Sequence, residues 1–291
     1  MTQSTAYRAA YRLEMPESRA GSVIVASPHS GRHYPWSFIR RTVLDERAIR
    51  SSEDAFVDML VAEAPALGAP LLAAEYPRAF LDLNRACDEL DPAVIEGLSR
   101  GTINPRISSG LGVIPRVVAG GRVIYRGKLS QDEADDRIRQ VWRPYHDCLE
   151  GLVRDTLDHC GEAILLDFHS MPHEALDSLS RNRDQARPDV VLGDRFGASA
   201  GAAIVDRLEA GFAAAGLVVS RNSPFAGAYI AQHYGRPSRG RHAVQIEIDR
   251  SLYMNEQLIR PNGNFQSVKK LVTGVLRQMI GGEDALPMAA E

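Results

Sequence analysis

One segment in the middle of the chain, Ala163-Ile164-Leu165-Leu166-Asp167-Phe168-His169-Ser170-Met171-Pro172, begins as a continuous apolar run and ends in polar side chains. Such a run is typical of a strand that is buried on both faces of a parallel sheet. Asp167, His169 and Ser170 follow at its carboxyl end, which is the edge where open α/β sheets place their ligands. The segment therefore predicts a buried strand that leads into a binding site. The simpler alternative is that His169 only caps the strand by bonding to a loop carbonyl.

A second segment, Val23-Ile24-Val25-Ala26-Ser27-Pro28-His29-Ser30-Gly31, repeats this arrangement of an apolar strand followed by histidine and serine. Two strands that bring His29 and His169 to one sheet edge favour a zinc site over capping. A catalytic zinc typically has three protein ligands from histidine and carboxylate, and a fourth, open position. Asp54 and Glu53 both qualify as the third ligand, because a helix start beside the sheet edge can aim a carboxylate inward. The structural alternative for Asp54 is an acid in a first helical turn that stabilises the helix dipole.

Size and composition exclude several classes of protein. The chain has 291 residues, of which 44% are hydrophobic and 24% charged, as expected for a globular protein with a full core. Its formal net charge of -3 indicates no general attraction to nucleic acid or to an anionic membrane. The three cysteines form no CxxC pair, so neither a disulfide framework nor a thiolate zinc site is indicated. With no signal-peptide pattern and no apolar run near the ~20 residues that span a bilayer, we expect a cytoplasmic protein.

Strand and helix patterns alternate along most of the chain, which predicts an α/β fold. We expect a single domain over residues 1–291, with its core at about 20–280, in which helices cover both faces of a mixed, mostly parallel sheet. Strands are predicted at residues 22–27, 71–74, 80–83, 163–168, 189–192, 217–220 and 243–249. Helices are predicted from Ser51 to Pro65 or Gly68, from Ser130 to Gly161 with a kink at Pro144, and at residues 199–215 and 265–280. Residues 88–126 are predicted to form a long loop, and such loops are often functional.

The segment at 243–249 alternates apolar and polar residues, as a strand does when its two faces differ. Glu247 lies on the polar face with Gln245 and Asp249. A zinc hydrolase needs a base that is not a metal ligand, which takes a proton from water and returns it to the leaving nitrogen. Glu247 is our candidate for that base. The alternative is an exposed edge strand whose polar face is simply in water.

The segment Tyr76-Pro77-Arg78-Ala79-Phe80-Leu81-Asp82-Leu83-Asn84-Arg85 places two arginines around a short predicted strand. Guanidinium groups bind carboxylates in bidentate fashion. We therefore interpret Arg78 and Arg85, with Asn84, as a clamp for an acidic substrate. The alternative is an ordinary salt bridge, for example to Asp82. Other arginines that qualify for the same clamp are Arg116, Arg126 and Arg250.

Several short segments occur in a fixed order between about residues 23 and 255. They are SPHSG at 27–31, DAFVD at 54–58, LDLNR at 81–85, GVIPR at 112–116, LDFHSMP at 166–172, VLGD at 191–194, NSP at 222–224, GAY at 227–229 and QIEIDR at 245–250. Together they resemble the N-formylglutamate amidohydrolase family. The ordered match over most of the chain is more specific than any single motif.

The resemblance implies a phosphorylase/hydrolase-like fold related to that of the zinc carboxypeptidases. The LDLNR segment is similar to the carboxypeptidase segment whose asparagine and arginine hold the terminal carboxylate of the substrate. By this resemblance Asn84 and Arg85 bind the α-carboxylate of the substrate. It also implies that His29 and His169 hold zinc and that Glu247 is the base.

The chain departs from the carboxypeptidase pattern at the second metal ligand. Carboxypeptidases place histidine and glutamate together as HxxE, whereas the third residue after His29 is Arg32. The carboxylate ligand must therefore come from further along the chain. Asp54 aligns with the acidic position that precedes Phe56 in the family, so we choose Asp54 and keep Glu53 as the second choice.

The activity that the resemblance implies is the zinc-dependent hydrolysis of N-formyl-L-glutamate to formate and L-glutamate. The expected partner is a small acidic N-acyl amino acid, the cofactor is Zn²⁺, and no oligomeric state is indicated. Arg78 is expected to help hold the developing oxyanion or the side-chain carboxylate of the substrate. Two alternatives stay open. One is an amidohydrolase for another N-acyl amino acid or a peptide, and the other is a non-catalytic protein that binds an acidic metabolite without needing Glu247.

Overall fold

The computed structural model describes residues 7–99, 104–177 and 187–281. The described residues fall into two compact units. Unit 1 consists of those within Met1–Arg12, Pro28–Ala55 and Ala73–Leu149, and unit 2 of those within Leu13–Ser27, Phe56–Leu72 and Glu150–Glu291. The single domain boundary at 1–291 stays a prediction.

Strands and helices alternate along the described chain. The strands are β1 (Tyr11–Glu14), β2 (Val23–Ser27), β3 (Leu71–Ala74), β4 (Val117–Val118), β5 (Arg122–Val123), β6 (Ala163–Met171), β7 (Val190–Gly193), β8 (Val219–Arg221), β9 (Arg241–Asp249), β10 (Met254–Asn255) and β11 (Arg260–Pro261). The α-helices are α1 (Trp36–Ile39), α2 (Glu46–Arg50), α3 (Val57–Leu60), α4 (Pro105–Ser108), α5 (Gln131–Arg137), α6 (Arg143–Cys160), α7 (Ala202–Ala214), α8 (Tyr229–Tyr234) and α9 (Phe265–Ile280).

The main sheet has seven strands in the order β1-β3-β2-β6-β9-β7-β8. Strand β6 pairs in parallel with both β2 and β9. Strand β7 pairs in parallel with β8 and antiparallel with β9. The predicted fold class, a mixed and mostly parallel sheet with helices, is therefore confirmed.

Strand β6 is the buried centre of this sheet, and all 9 of its residues are buried. Parallel strands with neighbours on both sides are covered on both faces, which explains the continuous apolar run. The strand extends beyond the predicted end at residue 168, because its pairing with β9 continues through His169 and Ser170 to Met171. His169 is thus held in the sheet and does not lie in a loop behind it.

Strand β9 lies between β6 and β7, so the edge-strand alternative for Glu247 is wrong. The polar residues in its second half are buried, with exposed fractions of 4% for Gln245, 8% for Glu247 and 3% for Asp249. Burying three such side chains is costly unless they are hydrogen-bonded. The polar face of β9 therefore has specific partners, which are described below.

The helix predicted to begin at Ser51 is wrong in its start and in its length. Ser51 is instead the C-cap of α2, and its hydroxyl donates to the carbonyl of Ala48. The N-cap of α2 is Asp45. A new short helix, α3, begins only after Phe56, whose φ of 67° lies in the left-handed region and prevents a continuous helix. Asp54 therefore lies in the connection and not in a first helical turn, so the helix-dipole explanation for Asp54 is wrong.

Residues 80–83, predicted as a strand, form turns and a loop instead. The backbone amide of Phe80 donates to the carbonyl of Pro77 at 2.9 Å and closes a turn. Arg137 is buried and donates to the carbonyl of Phe80 at 2.9 Å, to the hydroxyl of Tyr125 at 2.7 Å and to Glu133 at 2.6 Å. Its guanidinium also lies 4.1 Å from the centre of the Phe80 ring. The contacts of Arg137 with Phe80 join residues that are far apart in sequence, so the pattern of apolar residues alone does not reveal them.

The helical pattern between Ser130 and Gly161 is confirmed. Ser130 caps α5 by accepting from the amide of Glu133, and Gly161 follows α6 with a φ of 74°. Between the two helices lies a π-helical turn, Ile138–Trp142. Pro144 explains it, because a proline ring displaces the carbonyl four residues earlier and removes one helical hydrogen bond.

The prediction of a helix at 265–280 is confirmed by α9, whereas α8 was not predicted. The predicted helix at 199–215 is shorter, because α7 begins only after Gly201 and ends at Ala214. None of the described helices combines the length and the apolar composition needed to cross a bilayer.

Gly31, directly after the His29-Ser30 pair, is packed against the backbone of Tyr76. A Cβ atom at Gly31 would lie 2.1 Å from the carbonyl oxygen of Tyr76. Real side chains do not approach a backbone atom so closely, so one of the two segments would have to move. A glycine at this position is therefore a requirement of packing.

We predict that Gly31→Ala destabilises the protein by about 1–3 kcal/mol, as overpacking typically does. The matched control is Gly151→Ala in the middle of α6, where an added Cβ atom meets nothing within 4 Å. The control should instead gain about 0.5–1 kcal/mol, because alanine is a better helix former than glycine. Urea unfolding midpoints of both variants check this, and equal midpoints would contradict it.

Candidate metal centre

The described residues include a buried group of potential metal ligands, His29, Asp54 and His169. Each offers one ligand atom, and these atoms all lie within 4.8 Å of one another. His29 and His169 are 2% exposed and Asp54 is 1% exposed. The residues predicted from the ends of two apolar strands are therefore brought together, and the group can bind a metal ion.

His29 follows β2, and its two ring nitrogens face two different carboxylates. Its Nε2 atom lies 2.7 Å from Oδ1 of Asp82, and its Nδ1 atom lies 3.4 Å from Oδ2 of Asp54. Burial alone would raise the pKa of Asp82, but the nearby Arg78 and His29 hold that pKa well below its ordinary value. Asp82 is therefore ionised and can only accept, so Nε2 of His29 donates to it and Nδ1 is the ring nitrogen that faces Asp54.

His169 has the same arrangement within β6. Its Nε2 atom lies 2.9 Å from Oδ2 of Asp167, two residues earlier on the same face of the strand. The capping alternative required a loop carbonyl, whereas this ring nitrogen contacts a buried carboxylate. Metal-bound histidines usually donate their second ring nitrogen to a carboxylate or a carbonyl, which fixes the tautomer and the orientation of the ring.

Glu53 and Asp54, which the sequence left as alternatives, have different surroundings. Tyr34 donates to Oε1 of Glu53 at 2.6 Å, and Arg50 donates to both carboxylate oxygens at 2.9 and 3.1 Å. Burial and the adjacent Glu53 carboxylate raise the pKa of Tyr34, so its hydroxyl stays a donor. The backbone amide of Asp54 donates to the carbonyl of His29 at 3.0 Å. Glu53 is thus occupied by a tyrosine and an arginine, and Asp54 is the carboxylate beside the histidines.

Glu247 lies opposite His169 in the parallel pairing of β6 and β9. Oε1 of Glu247 accepts a hydrogen bond from Nε2 of Gln245 at 2.7 Å. Oε1 of Gln245 accepts in turn from the backbone amide of Ala228 at 2.9 Å, which fixes the orientation of the Gln245 amide. The Glu247 carboxylate is therefore held by a side chain that is itself held at both ends.

Asn84 and Arg85 lie in the loop that follows Phe80, whose carbonyl accepts from Arg137. The backbone amide of Asn84 donates to Oδ1 of Asp82 at 2.8 Å. Arg85 is 8% exposed, and it donates through Nε to the carbonyl of Leu111 at 2.9 Å and through Nη1 to the carbonyl of Asn84 at 3.0 Å. Within the described part of the chain, no carboxylate forms an ion pair with Arg85. Burial lowers the pKa of this guanidinium from its ordinary value.

Three of the other arginines offered for the clamp have protein partners. Nη2 of Arg78 lies 2.8 Å from Oδ2 of Asp82, which is the salt bridge that the sequence offered as the alternative to a substrate clamp. The further contacts are Arg116 with Asp91, Arg250 with Ser170, and His173 with Asp249.

Sequence reasoning missed the supporting roles of Asp82, Asp167 and Gln245. A signal was present for two of them, because Asp167 and Gln245 each precede a candidate site residue by two positions within a strand. In extended backbone, residues two apart point to the same side. A polar residue at this spacing can therefore reach the functional side chain that follows it.

Comparisons of sequence give one consistent result. A family model described as N-formylglutamate amidohydrolase matches residues 21–254. N-formylglutamate deformylase from Pseudomonas aeruginosa is 32% identical over 240 residues, covering 81% of this chain and 83% of that protein. N-formylglutamate deformylase from Pseudomonas putida is 30% identical over 237 residues, covering 80% of this chain and 82% of that protein.

Comparisons of structure agree. The crystal structure of N-formylglutamate amidohydrolase from Ralstonia eutropha JMP134 matches with a TM-score of 0.86 at 35% identity, covering 93% of this chain and 97% of that one. A gene product from Agrobacterium tumefaciens shares the fold, with a TM-score of 0.64 at 16% identity over 92% of each chain. The fold, the buried His-Asp-His group and these matches together show that the chain belongs to the N-formylglutamate amidohydrolase family and is a hydrolase.

Proposed function

We propose that this chain is a zinc-dependent enzyme that hydrolyses N-formyl-L-glutamate to formate and L-glutamate. The observation that carries the proposal is the buried group of His29, Asp54 and His169, in which each imidazole turns its second nitrogen to a carboxylate. The names of the P. aeruginosa, P. putida and R. eutropha relatives support the choice of substrate.

The donor set fits zinc. Two histidines and one carboxylate are a common ligand set of catalytic zinc, with one position left for water or substrate. Ligand atoms about 2.1 Å from a tetrahedral zinc lie about 3.4 Å from one another. The separation of 3.4 Å between Nδ1 of His29 and Oδ2 of Asp54 agrees with this, and it is too long for a good hydrogen bond. When bound, zinc would lower the pKa of a water molecule and polarise the formyl carbonyl.

Glu247 is the general base in this proposal. It is buried, it lies opposite His169 in the sheet, and its carboxylate is oriented by Gln245. It takes a proton from the attacking water as the new carbon–oxygen bond forms at the formyl carbon. It then gives this proton to the nitrogen as the carbon–nitrogen bond breaks, so that formate and the free amine of L-glutamate leave.

Arg85 and Asn84 bind the α-carboxylate of the substrate. A buried guanidinium without a carboxylate partner among the described residues is costly, and an anionic ligand removes that cost. Two backbone carbonyls hold part of the guanidinium in place, which orients the remaining donors for a carboxylate. Arg78, which pairs with Asp82, has the secondary role of holding the side-chain carboxylate or the developing oxyanion.

Removal of the metal tests the whole proposal. We expect formate release from N-formyl-L-glutamate to vanish after chelation and to return when zinc is restored. His169→Ala should lose the bound zinc, whereas the control His159→Ala on the exposed surface of α6 should keep it. Formate assays and elemental analysis of the protein measure both effects.

The outcomes separate the alternatives. Full activity in zinc-free protein would contradict the metal dependence. Zinc at one equivalent without formate release would turn the search to other N-acyl amino acids or peptides. If the protein bound no zinc and released no formate, the hydrolytic mechanism would be overturned and a binding protein would be favoured.

Glu247→Gln tests the base. We expect the variant to keep its zinc and to lose about 10²–10⁴-fold in kcat, the usual contribution of general acid–base catalysis. The control is Glu209→Gln on α7, where the carboxylate is 38% exposed and pairs with Arg221 at the surface. Steady-state kinetics and metal content check the prediction, and a Glu247→Gln enzyme with normal kcat excludes Glu247 as the base.

Arg85→Ala tests the clamp. We expect KM to rise about 10- to 100-fold while kcat changes little, because a hydrogen-bonded charge is lost from substrate binding. Arg85→Lys should recover only part of this, since lysine lacks the planar fork. The control is Arg154→Ala on α6, whose side chain is 66% exposed. An unchanged KM for N-formyl-L-glutamate would remove Arg85 from the clamp.

A further inference from the structure

The loop that carries Asn84 and Arg85 has its backbone carbonyls bound by side chains. The carbonyl of Leu83 lies 2.9 Å from Nε2 of His146, and the carbonyl of Arg85 accepts from Nε1 of Trp142 at 2.9 Å. Between them, the carbonyl of Asn84 accepts from Nη1 of Arg85 itself at 3.0 Å. Consecutive carbonyls in an irregular loop are thus each fixed by a side-chain donor, two of which come from one helical segment.

Trp142 and His146 act as one unit on that segment. They are four residues apart, so they lie on the same face of a helix. Their ring centres are 4.0 Å apart with an angle of 31° between the ring planes. His146 is buried, and because a carbonyl can only accept, its Nε2 atom must carry the hydrogen. Both rings therefore present one N–H group to the loop.

The helix is irregular at this point. The π-helical turn Ile138–Trp142 ends at Trp142, two residues before Pro144. A π-helical turn changes the direction in which the following side chains point and is frequent near functional sites. Trp142 is the last residue of this turn, and its indole donates to the carbonyl of Arg85.

We infer that Trp142 and His146 are positioning residues that hold the Asn84–Arg85 loop in the conformation that binds the substrate carboxylate. This inference rests on the proposed function of Arg85 as part of the clamp. Neither ring needs to touch the substrate, since each acts through a backbone carbonyl of the loop. Loss of one N–H group lets the loop move. Part of the free energy of substrate binding is then used to order the loop again. The effect therefore falls on KM and on ligand affinity, and not on kcat.

The experiment compares two tryptophan substitutions in the zinc-loaded full chain. Trp142→Phe keeps the aromatic volume and removes the Nε1–H group. We expect it to raise KM for N-formyl-L-glutamate about tenfold, with kcat and zinc content unchanged. Trp36→Phe is the matched control, because Trp36 is 72% exposed, and its kinetics should equal those of the parent. Calorimetric titration with L-glutamate should show the same weakening for Trp142→Phe without any turnover.

A histidine pair distinguishes hydrogen bonding from packing. His146→Gln keeps an N–H donor at a similar distance from the backbone, whereas His146→Leu keeps bulk and removes the donor. We expect His146→Leu to raise KM as Trp142→Phe does, and His146→Gln to stay close to the parent. If both histidine variants behave alike, or if kcat falls while KM stays constant, the positioning role is overturned.

Arg85→Ala, measured in the same titration with L-glutamate, separates this inference from the proposed function. Weaker binding in Arg85→Ala and normal binding in Trp142→Phe would overturn the positioning role and leave the clamp in place. Normal binding in Arg85→Ala would overturn the clamp itself and the positioning role with it. Absence of formate release from the parent would refute the proposed reaction, while the titrations still report on the loop.

Discussion

The buried carboxylate of Asp82 is the junction on which the amino-terminal part of the site depends. Its Oδ1 atom lies 2.7 Å from Nε2 of His29 and 2.8 Å from the amide of Asn84, and its Oδ2 atom accepts from Arg78 at 2.8 Å. A charge that is only 2% exposed is tolerable because every one of these groups compensates it. The orientation of a candidate metal ligand and the conformation of the proposed substrate-binding loop therefore depend on the same carboxylate.

In unit 2 the corresponding constraint is the pairing of β6 with β9. His169 lies opposite Glu247, and Asp167 lies opposite Gln245. Residues of a strand alternate between its faces, so each functional residue and its supporting residue share a face. A sheet thus aligns a candidate metal ligand and a candidate base without any loop between them, which favours the precise geometry that proton transfer needs.

Much of this architecture could be predicted from local patterns. The apolar runs identified β2 and β6, the alternation identified the polar face of β9, and Ser130 marked the start of α5. The prediction that His29 and His169 lie at one edge of the sheet followed from the rule that parallel strands end at the same edge. These features depend on residues close in sequence, whose periodicity records the environment directly.

What could not be predicted depends on contacts between distant residues. Residues 80–83 form turns and a loop, and the carbonyl of Phe80 accepts from Arg137, whose other partner Tyr125 is far from Phe80 in sequence. The positive φ of Phe56 interrupts the helix, although the sequence around it has a regular helical pattern. Only the family resemblance favoured Asp54 over Glu53, because the contact between Glu53 and Tyr34 is not visible in a local pattern. A one-dimensional pattern holds no record of such partners.

The register of β9 has a consequence for how this protein can vary. Deleting or inserting one residue within Arg241–Asp249 would turn Glu247 to the other face of the sheet and bring an isoleucine into its place. The sheet would keep its hydrogen bonds, but the apolar faces of β9 would no longer match their neighbours. We therefore expect changes in chain length in connections such as the exposed turn at Ala119–Gly121, where two glycines have open space around them. Length variation among functional relatives should accordingly be absent from this strand and common in such turns.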